Sequence, residues 1–255
     1  MAFTVAVAGK GGVGKTTLSA LIIVTLLKKG YKPVLAVDAD PNVNLNILLG
    51  IEAPQAIGSL REEALKEMGK IDFPPGMSRA AYLEYGFENC LAESEDFDLM
   101  VMGRPEGPGC YCFANDVLRK FIDKLTPNYR YVVIDSEAGM EHLSRRTTQN
   151  VDVLFIVSDS NLVALRSAKR ISDLVDELKL SIKKRYLVLN NVEDSLVSQI
   201  REKVEKIGVK LGGVIPKDRN IFSFVLEEKP LTQFPSDSVA FTAVERLLRE
   251  TKVID

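Results

Sequence analysis

The chain has 255 residues, of which 46% are hydrophobic and 27% are charged, a composition typical of a folded globular protein rather than a disordered one. Its 33 basic and 35 acidic residues leave a formal charge of −2, which disfavours a nucleic-acid partner because such proteins usually carry a basic surface. No apolar run is long enough to span a membrane, and the start shows no signal-peptide pattern. We therefore expect a cytoplasmic protein that does not act at a membrane.

Short apolar runs alternate with helical patterns, which predicts a doubly wound, mainly parallel α/β sheet of about seven strands with helices on both faces. The predicted strands are 3–8, 34–37, 99–102, 131–134, 153–157, 186–189 and 214–215. The predicted helices are 17–29, 59–68, 116–125, 141–148, 162–178, 195–207 and 238–250. Residues 1–255 show no repeat or linker and are interpreted as one domain, in which segment 53–98 is a lid, a peripheral insertion or surface packing.

A phosphate-binding loop follows the first predicted strand. Residues 9–16 fit the pattern G-x-x-x-x-G-K-[ST] and precede a predicted helix. In such a loop the backbone N–H groups converge on phosphate oxygens, a lysine reaches the β- and γ-phosphates, and a hydroxyl binds Mg²⁺. Lys15 and Thr16 occupy those two positions. The alternative is a glycine-rich turn without nucleotide. The predicted nucleotide-binding residues of the loop are Gly9, Lys10, Gly11, Gly12, Val13, Gly14, Lys15, Thr16 and Thr17.

A second lysine, Lys10, stands directly after the first glycine of the loop. This arrangement resembles the deviant Walker A motif of the family that includes nitrogenase iron protein, the septum-site and plasmid-partition ATPases and the arsenite-pump ATPase. In that family the extra lysine reaches the partner's nucleotide. The resemblance therefore implies a homodimer with nucleotide at its interface, in which Lys10 and Lys15 stabilise phosphate charge during hydrolysis. A solvated loop lysine is the alternative for Lys10.

Three aspartates stand at predicted strand ends. Asp38 and Asp40 follow the second strand, where one carboxylate can face the γ-phosphate and position or deprotonate water while its neighbour supports Mg²⁺. The family resemblance makes Asp40 the hydrolytic residue of switch I. Asp135 ends a strand of Walker B form, and residues 135–142 resemble switch II. The predicted magnesium set is Thr16, Asp38, Asp40 and Asp135, and the alternatives are an Asp-Pro turn and a helix cap.

The residues alone give weaker evidence for base recognition, because an asparagine at the end of a strand is common in ordinary turns. The family carries an adenine-contacting asparagine after its sixth strand, which matches Asn190, and a Pro-x-Asp element after its seventh, which matches Pro216 and Asp218. The N-K-x-D pattern that reads guanine is absent from the sequence. The resemblance therefore favours ATP over GTP.

Two cysteines, Cys110 and Cys112, lie in a glycine-rich segment after the third predicted strand. Two thiolates at this spacing can bind a soft or borderline ion, and two subunits would supply the four sulfurs of a tetrahedral site. Such a site on a dimer axis would couple metal affinity to the nucleotide state. The alternative is a pair of ordinary thiols.

Taken together, these motifs resemble the CooC/AcsF type of carbon monoxide dehydrogenase maturation ATPase over essentially the whole chain. The segments that carry the resemblance are 9–16, 38–42, 106–112 and 135–142. It implies an ATP-dependent factor that inserts nickel into carbon monoxide dehydrogenase or acetyl-CoA synthase as its client, with Cys110 and Cys112 binding Ni²⁺ or Zn²⁺. Ser136 departs from the pattern after the switch II aspartate.

Two other functions are open at this point. An iron-protein-like reductase would carry an Fe–S cluster between subunits, but its second cysteine comes from switch II, where this chain has none. A MinD/ParA-like positioning ATPase would bind membrane or DNA, whereas Phe241, Val244, Leu247 and Leu248 are expected to dock the last helix on the domain. His142 is interpreted as an ordinary helix or interface residue, and Cys90 as structural.

Overall fold

The computed structural model describes residues 2–60, 63, 86–103, 120–138, 150–193 and 197–255. Within them the chain forms an eight-stranded sheet in the order β3-β4-β2-β5-β1-β6-β7-β8, in which every pair is parallel except β3 with β4. The strands are β1 Phe3–Gly9, β2 Val34–Ala39, β3 Leu91–Glu93, β4 Phe97–Val101, β5 Tyr131–Ser136, β6 Val151–Ser158, β7 Ile182–Val192 and β8 Leu211–Pro216. The predicted doubly wound, mainly parallel fold is confirmed.

Helices cover both faces of this sheet. In β1, Val5 and Val7 point into one core layer, which also contains apolar residues of the first and last helices, and Ala6 and Ala8 point into the other. All four side chains are buried, which explains why the strand is a continuous apolar run instead of an alternating one. The helices are α1 Lys15–Lys28, α2 Leu45–Leu49, α3 Leu162–Glu177, α4 Val197–Ile207, α5 Arg219–Leu226 and α6 Val239–Glu250.

The carboxyl end of segment 53–98, which is predicted to be a lid, a peripheral insertion or surface packing, forms part of the edge of the sheet. There β3 and the start of β4 belong to the sheet, and β3 adds an antiparallel edge strand that the sequence did not predict. Cys90 is buried in the core, which is the position expected of a structural thiol. Residues 64–85 lie outside the described residues. The carboxyl-terminal part of the segment is thus a component of the sheet.

The predicted helices differ in how much of each the structure describes. Most of 59–68, all of 141–148 and residues 116–119 lie outside the described residues, although 57–60 and 120–125 are helical. The helices α2 and α5 are additions to the prediction, since five and eight residues are too few to show a helical period. No helix in the described ranges is long and apolar enough to cross a membrane.

The last helix, α6, docks on the domain as predicted. Its apolar side chains Phe241, Val244, Leu247 and Leu248 are at most 1% exposed and belong to the same core layer as α1. The Ser238 hydroxyl accepts a hydrogen bond from the N–H of Phe241 at 3.1 Å, and so caps the start of the helix.

The order of the strands locates the functional edge. The chain leaves β1 toward β2 on one side and later returns to β6 on the other side, so β1 lies between β5 and β6. In an open α/β sheet a ligand binds outside the carboxyl ends of the strands at such a reversal. The loop after β1 is therefore where a ligand is expected.

Candidate nucleotide-binding site

The loop between β1 and α1 has the backbone of a phosphate cradle. Gly12 and Gly14 have φ angles of 81° and 87°, a left-handed conformation that favours glycine. Gly9 approaches β6 so closely that a Cβ there would lie 2.5 Å from the carbonyl oxygen of Val157. The helix α1 begins at Lys15 without a side-chain cap, so its first N–H groups remain available to an anion.

Lys15 is a buried cation that lies at the base of this loop. Its side chain is 7% exposed, and its ammonium donates a hydrogen bond to the carbonyl of Lys10 at 3.3 Å. Burial lowers the pKa of Lys15, and the nearby charges of Asp135 and Asp40 act in the opposite direction. Lys10, in contrast, is exposed. No ion pair joins Lys15 to a carboxylate within the described part of the chain. A bound phosphate would supply the missing counter-charge.

Asp135 lies at the end of β5 with its carboxylate fully buried. One oxygen, Oδ1, accepts a hydrogen bond from the hydroxyl of Ser19 at 2.9 Å, whereas Oδ2 has no hydrogen-bond partner among the described residues. Burial raises the pKa of Asp135 to about 7; Thr16, Ser19 and Lys15 lower it, and Asp38 raises it further. A buried carboxylate oxygen that has no hydrogen-bond partner among the described residues and lies near the hydroxyl of Thr16 fits Mg²⁺, which prefers oxygen ligands.

Asp38 anchors a loop instead of presenting a free carboxylate. Its Oδ1 accepts the N–H of Asp40 at 3.0 Å, and its Oδ2 accepts those of Asn44 and Leu45, each at 2.9 Å. Burial raises the pKa of Asp38, and these three hydrogen bonds lower it. The carboxylate therefore folds residues 40–45 back onto the end of β2.

Asp40 is better placed to face a ligand. Its Oδ1 accepts hydrogen bonds from the backbone N–H and from the side-chain Nδ2 of Asn42, each at 2.9 Å. The residue is partly exposed and lines a cavity of about 450 Å³ together with Lys15 and Thr16. The structure thus brings together the predicted hydrolytic carboxylate and the predicted phosphate-binding lysine.

The four residues predicted to bind magnesium do not form a cluster of carboxylates. Within the described residues, no group of three or more His, Cys, Asp or Glu side chains is placed to hold a metal ion. The two oxygens of Asp38 already accept three backbone N–H groups. A Mg²⁺ ion would have Thr16 and Asp135 as protein partners and complete its shell with phosphate and water, as is usual for this ion.

A second cavity, of about 630 Å³, lies beside the loop and contains all three residues predicted to recognise the base. Asn190 donates a hydrogen bond from Nδ2 to the carbonyl of Val13 at 2.9 Å. Adenine offers an amino donor where guanine offers an oxygen, so an Oδ1 atom of Asn190 that faced the base would favour adenine. The Asp218 carboxylate instead accepts the N–H groups of Asn220 and Ala240 at 2.9 and 3.3 Å, while Pro216 lines the wall.

Sequence reasoning missed the contribution of α5 to this cavity. Phe222 and Val225 line it, and Phe222 is 71% exposed although it is a large aromatic residue. The described part of α5 has no buried residue. The signal in the sequence was the Pro-x-Asp element directly before the helix, in which Asp218 is the cap. An apolar wall next to the P-loop suits the face of a base.

Other predicted site residues lie outside the described residues. They are Cys110 and Cys112, His142, and residues 139–142 of the switch II segment.

The contact between Gly14 and Asn190 leads to a testable prediction. A Cβ at Gly14 would lie 2.3 Å from Nδ2 of Asn190, and the left-handed backbone disfavours any side chain there. We expect Gly14→Ala to break the Asn190–Val13 hydrogen bond and weaken ATP binding roughly 100-fold, as measured by isothermal titration calorimetry.

Gly30→Ala is the matched control for this prediction. Gly30 has a similar φ of 76° with nothing within 4 Å of its Cβ position, and it lies at the opposite end of α1. We expect a loss of about 1 kcal/mol in the free energy of unfolding without a change in ATP affinity. Equal ATP affinity in both variants would contradict the proposed role of the Gly14 contact.

Comparison with known proteins agrees with this geometry. The family model described as the CobQ/CobB/MinD/ParA nucleotide binding domain matches residues 4–231. An uncharacterised ATP-binding protein of Methanocaldococcus jannaschii is 43% identical over 95% of this chain and 96% of its own length. The carbon monoxide dehydrogenase accessory protein CooC of Rhodospirillum rubrum is 31% identical over 68% of this chain and 69% of its own. The solved structure of the MinD cell division protein of Aquifex aeolicus shares the fold, with a TM-score of 0.72 at 22% identity over 100% of this chain and 98% of that one.

Proposed function

We propose that this chain, which belongs to the CobQ/CobB/MinD/ParA nucleotide-binding family and is a P-loop ATPase, is a nickel-delivery factor. In this proposal a homodimer binds Ni²⁺ through Cys110 and Cys112 of each subunit and passes it to carbon monoxide dehydrogenase or acetyl-CoA synthase. The observation that supports it is the pair of cysteines in a chain 31% identical to a carbon monoxide dehydrogenase accessory protein.

The described residues include those that we propose for ATP binding and hydrolysis. In this proposal the loop amides and Lys15 hold the phosphates, and Asn190, whose Nδ2 donates to Val13, uses its Oδ1 to accept a hydrogen bond from adenine. Thr16 and Asp135 would hold Mg²⁺, which would neutralise charge on the phosphates. Asp40 orients the attacking water and takes its proton, and Lys10 reaches the nucleotide of the partner.

The position of the cysteines along the chain suggests how ATP binding and metal binding are coupled. The described chain leaves β4 at Met102 and Gly103, on the carboxyl edge of the sheet that also carries the P-loop. Cys110 follows seven residues later in the sequence. In this proposal a dimer that closes around ATP changes the distance between the thiolates of its two subunits, which couples the nucleotide state to metal affinity. Hydrolysis would then open the dimer and release the ion.

An anaerobic Ni²⁺ titration of the wild type and of a Cys110→Ala/Cys112→Ala variant, with and without ADP or ATP, tests this proposal. We expect one ion per dimer in the wild type and none in the variant, since four thiolates suffice for one tetrahedral site. Light scattering on the same samples measures the molar mass and hence the fraction of dimer. Competition with Zn²⁺ compares the affinities of the site for the two ions.

Cys90→Ala is the matched control, because Cys90 is a buried thiol of the core and lies in no proposed metal site. This variant should bind Ni²⁺ like the wild type. Nickel binding that survives in the Cys110→Ala/Cys112→Ala variant would exclude a thiolate site and with it the delivery function.

A positioning ATPase is the second candidate, favoured by the likeness of the fold to MinD. Its membrane-binding form requires a free amphipathic helix, whereas the apolar residues of α6 are packed in the core. Co-sedimentation with anionic liposomes in the presence of ATP distinguishes the two candidates. A strong ATP-dependent pellet would favour positioning over metal delivery.

A further inference from the structure

We propose that Ser19 is a positioning residue that orients the Asp135 carboxylate toward the Mg²⁺ ion bound with ATP. This inference rests on the proposed Mg²⁺-dependent ATPase cycle. Ser19 belongs to no part of the P-loop motif, and it acts on the ion only through Asp135.

The two side chains meet where α1 packs against β5. The Ser19 hydroxyl donates to Oδ1 of Asp135 at 2.9 Å, and this contact joins residues 116 positions apart in the chain. Both residues are 0% exposed. Because Ser19 follows Lys15 by four positions and Thr16 by three, all three lie on the same face of the helix. One face of α1 thus carries the lysine, the proposed Mg²⁺ hydroxyl and the donor to the Walker B carboxylate.

The surroundings of Ser19 are apolar, which makes its hydroxyl an exception. Its neighbours in α1, Leu18, Ala20 and Leu21, are at most 2% exposed. A hydroxyl buried there costs free energy unless it is hydrogen-bonded. Thr25 carries the other buried hydroxyl of this helix, and it donates its hydrogen bond within the helix, to the carbonyl of Leu21 at 2.7 Å. Ser19 donates to a charged side chain of another element.

This hydrogen bond decides which oxygen of Asp135 remains available. With Oδ1 held by Ser19, rotation of the carboxylate is restricted, and Oδ2 is the oxygen that has no hydrogen-bond partner among the described residues. An unpartnered, buried carboxylate oxygen is unfavourable until a cation or a water molecule of its shell reaches it. Ser19 therefore prepares the site for the ion before the ion binds.

Loss of the hydroxyl should weaken Mg²⁺ and spare the nucleotide itself. Removal of a residue that orients a metal ligand typically lowers metal affinity by about 10- to 100-fold. In the proposed cycle the phosphates are held by Lys15 and the loop amides, whereas the Ser19 hydroxyl donates its hydrogen bond to Asp135. ATP affinity without Mg²⁺ is therefore expected to stay the same.

The test measures ATP affinity against Mg²⁺ concentration, and in EDTA, for the wild type, Ser19→Ala, Ser19→Thr and Thr25→Val. We expect the half-saturating Mg²⁺ concentration to rise about tenfold in Ser19→Ala. Ser19→Thr, which keeps the hydroxyl, should restore it, and Thr25→Val, which removes an equally buried hydroxyl from the same helix, should not change it. A purely structural role of Ser19 would alter the melting temperature and leave the Mg²⁺ dependence unchanged.

A double-mutant cycle with Asp135→Ala tests whether Ser19 affects Mg²⁺ binding through Asp135. If Ser19 acts through Asp135, Ser19→Ala produces no further change in Mg²⁺ dependence in the Asp135→Ala background. An unchanged Mg²⁺ dependence in Ser19→Ala, with a clear dependence in the wild type, would overturn this inference. ATP binding that is independent of Mg²⁺ in the wild type would instead contradict the proposed ATPase cycle.

Discussion

Replacing Lys15 with methionine is expected to abolish ATP binding and to leave the protein folded. Lys15 is a buried ammonium whose only hydrogen bond among the described residues goes to the carbonyl of Lys10 at 3.3 Å. In the absence of nucleotide this charge is desolvated without an ion pair, which is a cost that phosphate removes. Methionine keeps the unbranched chain but not the charge, so ATP affinity should fall at least about 100-fold.

The same argument predicts the stability of the variant without ATP. Since burial disfavours the charge of Lys15, Lys15→Met should leave the free energy of unfolding unchanged or raise it by about 1 kcal/mol. Calorimetry gives the affinity and urea denaturation gives the stability. Lys203→Met, on the exposed surface of α4, is the control and should change neither. ATP affinity within threefold of the wild type in Lys15→Met would mean that the ammonium does not contact phosphate.

The sequence predicted those parts of the site that are encoded locally. The P-loop could be identified because its glycines, its lysine and its threonine are contiguous and lie between an apolar strand and a helix. The two-sided burial of β1 could be predicted for the same reason, since its residues form one continuous apolar run. In both cases neighbours in the chain determine the conformation.

The parts that escaped prediction depend on contacts between distant residues. The N–H groups of residues 44 and 45 fold back onto the carboxylate of Asp38, a contact that the sequence did not predict. The hydrogen bond from Asn190 to Val13 joins positions 177 apart, and its geometry fixes which atom of the amide remains free. The strand β3 has three residues, none of them buried, so it gives no alternating pattern. None of these features has a local signature.

Replacing Asp40 with asparagine should stop hydrolysis and preserve ATP binding. Asparagine keeps an Oδ1 that can accept from Asn42, so the turn should persist, but it cannot take a proton from water. We expect the single-turnover rate of ATP hydrolysis to fall by about 100-fold or more, with ATP affinity changed by less than about threefold. The two values would be measured on the same preparation.

Asp38→Asn is the informative comparison. The two aspartates are two residues apart, but Asp38 is expected to stabilise the loop and Asp40 to act on the attacking water. An amide at position 38 would turn an N–H₂ group toward the N–H groups that now donate to Asp38, and at least one of them would lose its acceptor. Leaving buried donors unpaired costs about 1–3 kcal/mol, so the free energy of unfolding, ATP affinity and hydrolysis should all decrease. If Asp38→Asn reduced hydrolysis alone, Asp38 would act on the reaction directly. If Asp40→Asn reduced stability as much as Asp38→Asn, the catalytic role of Asp40 would have to be abandoned, because its carboxylate would then serve the loop and not the water.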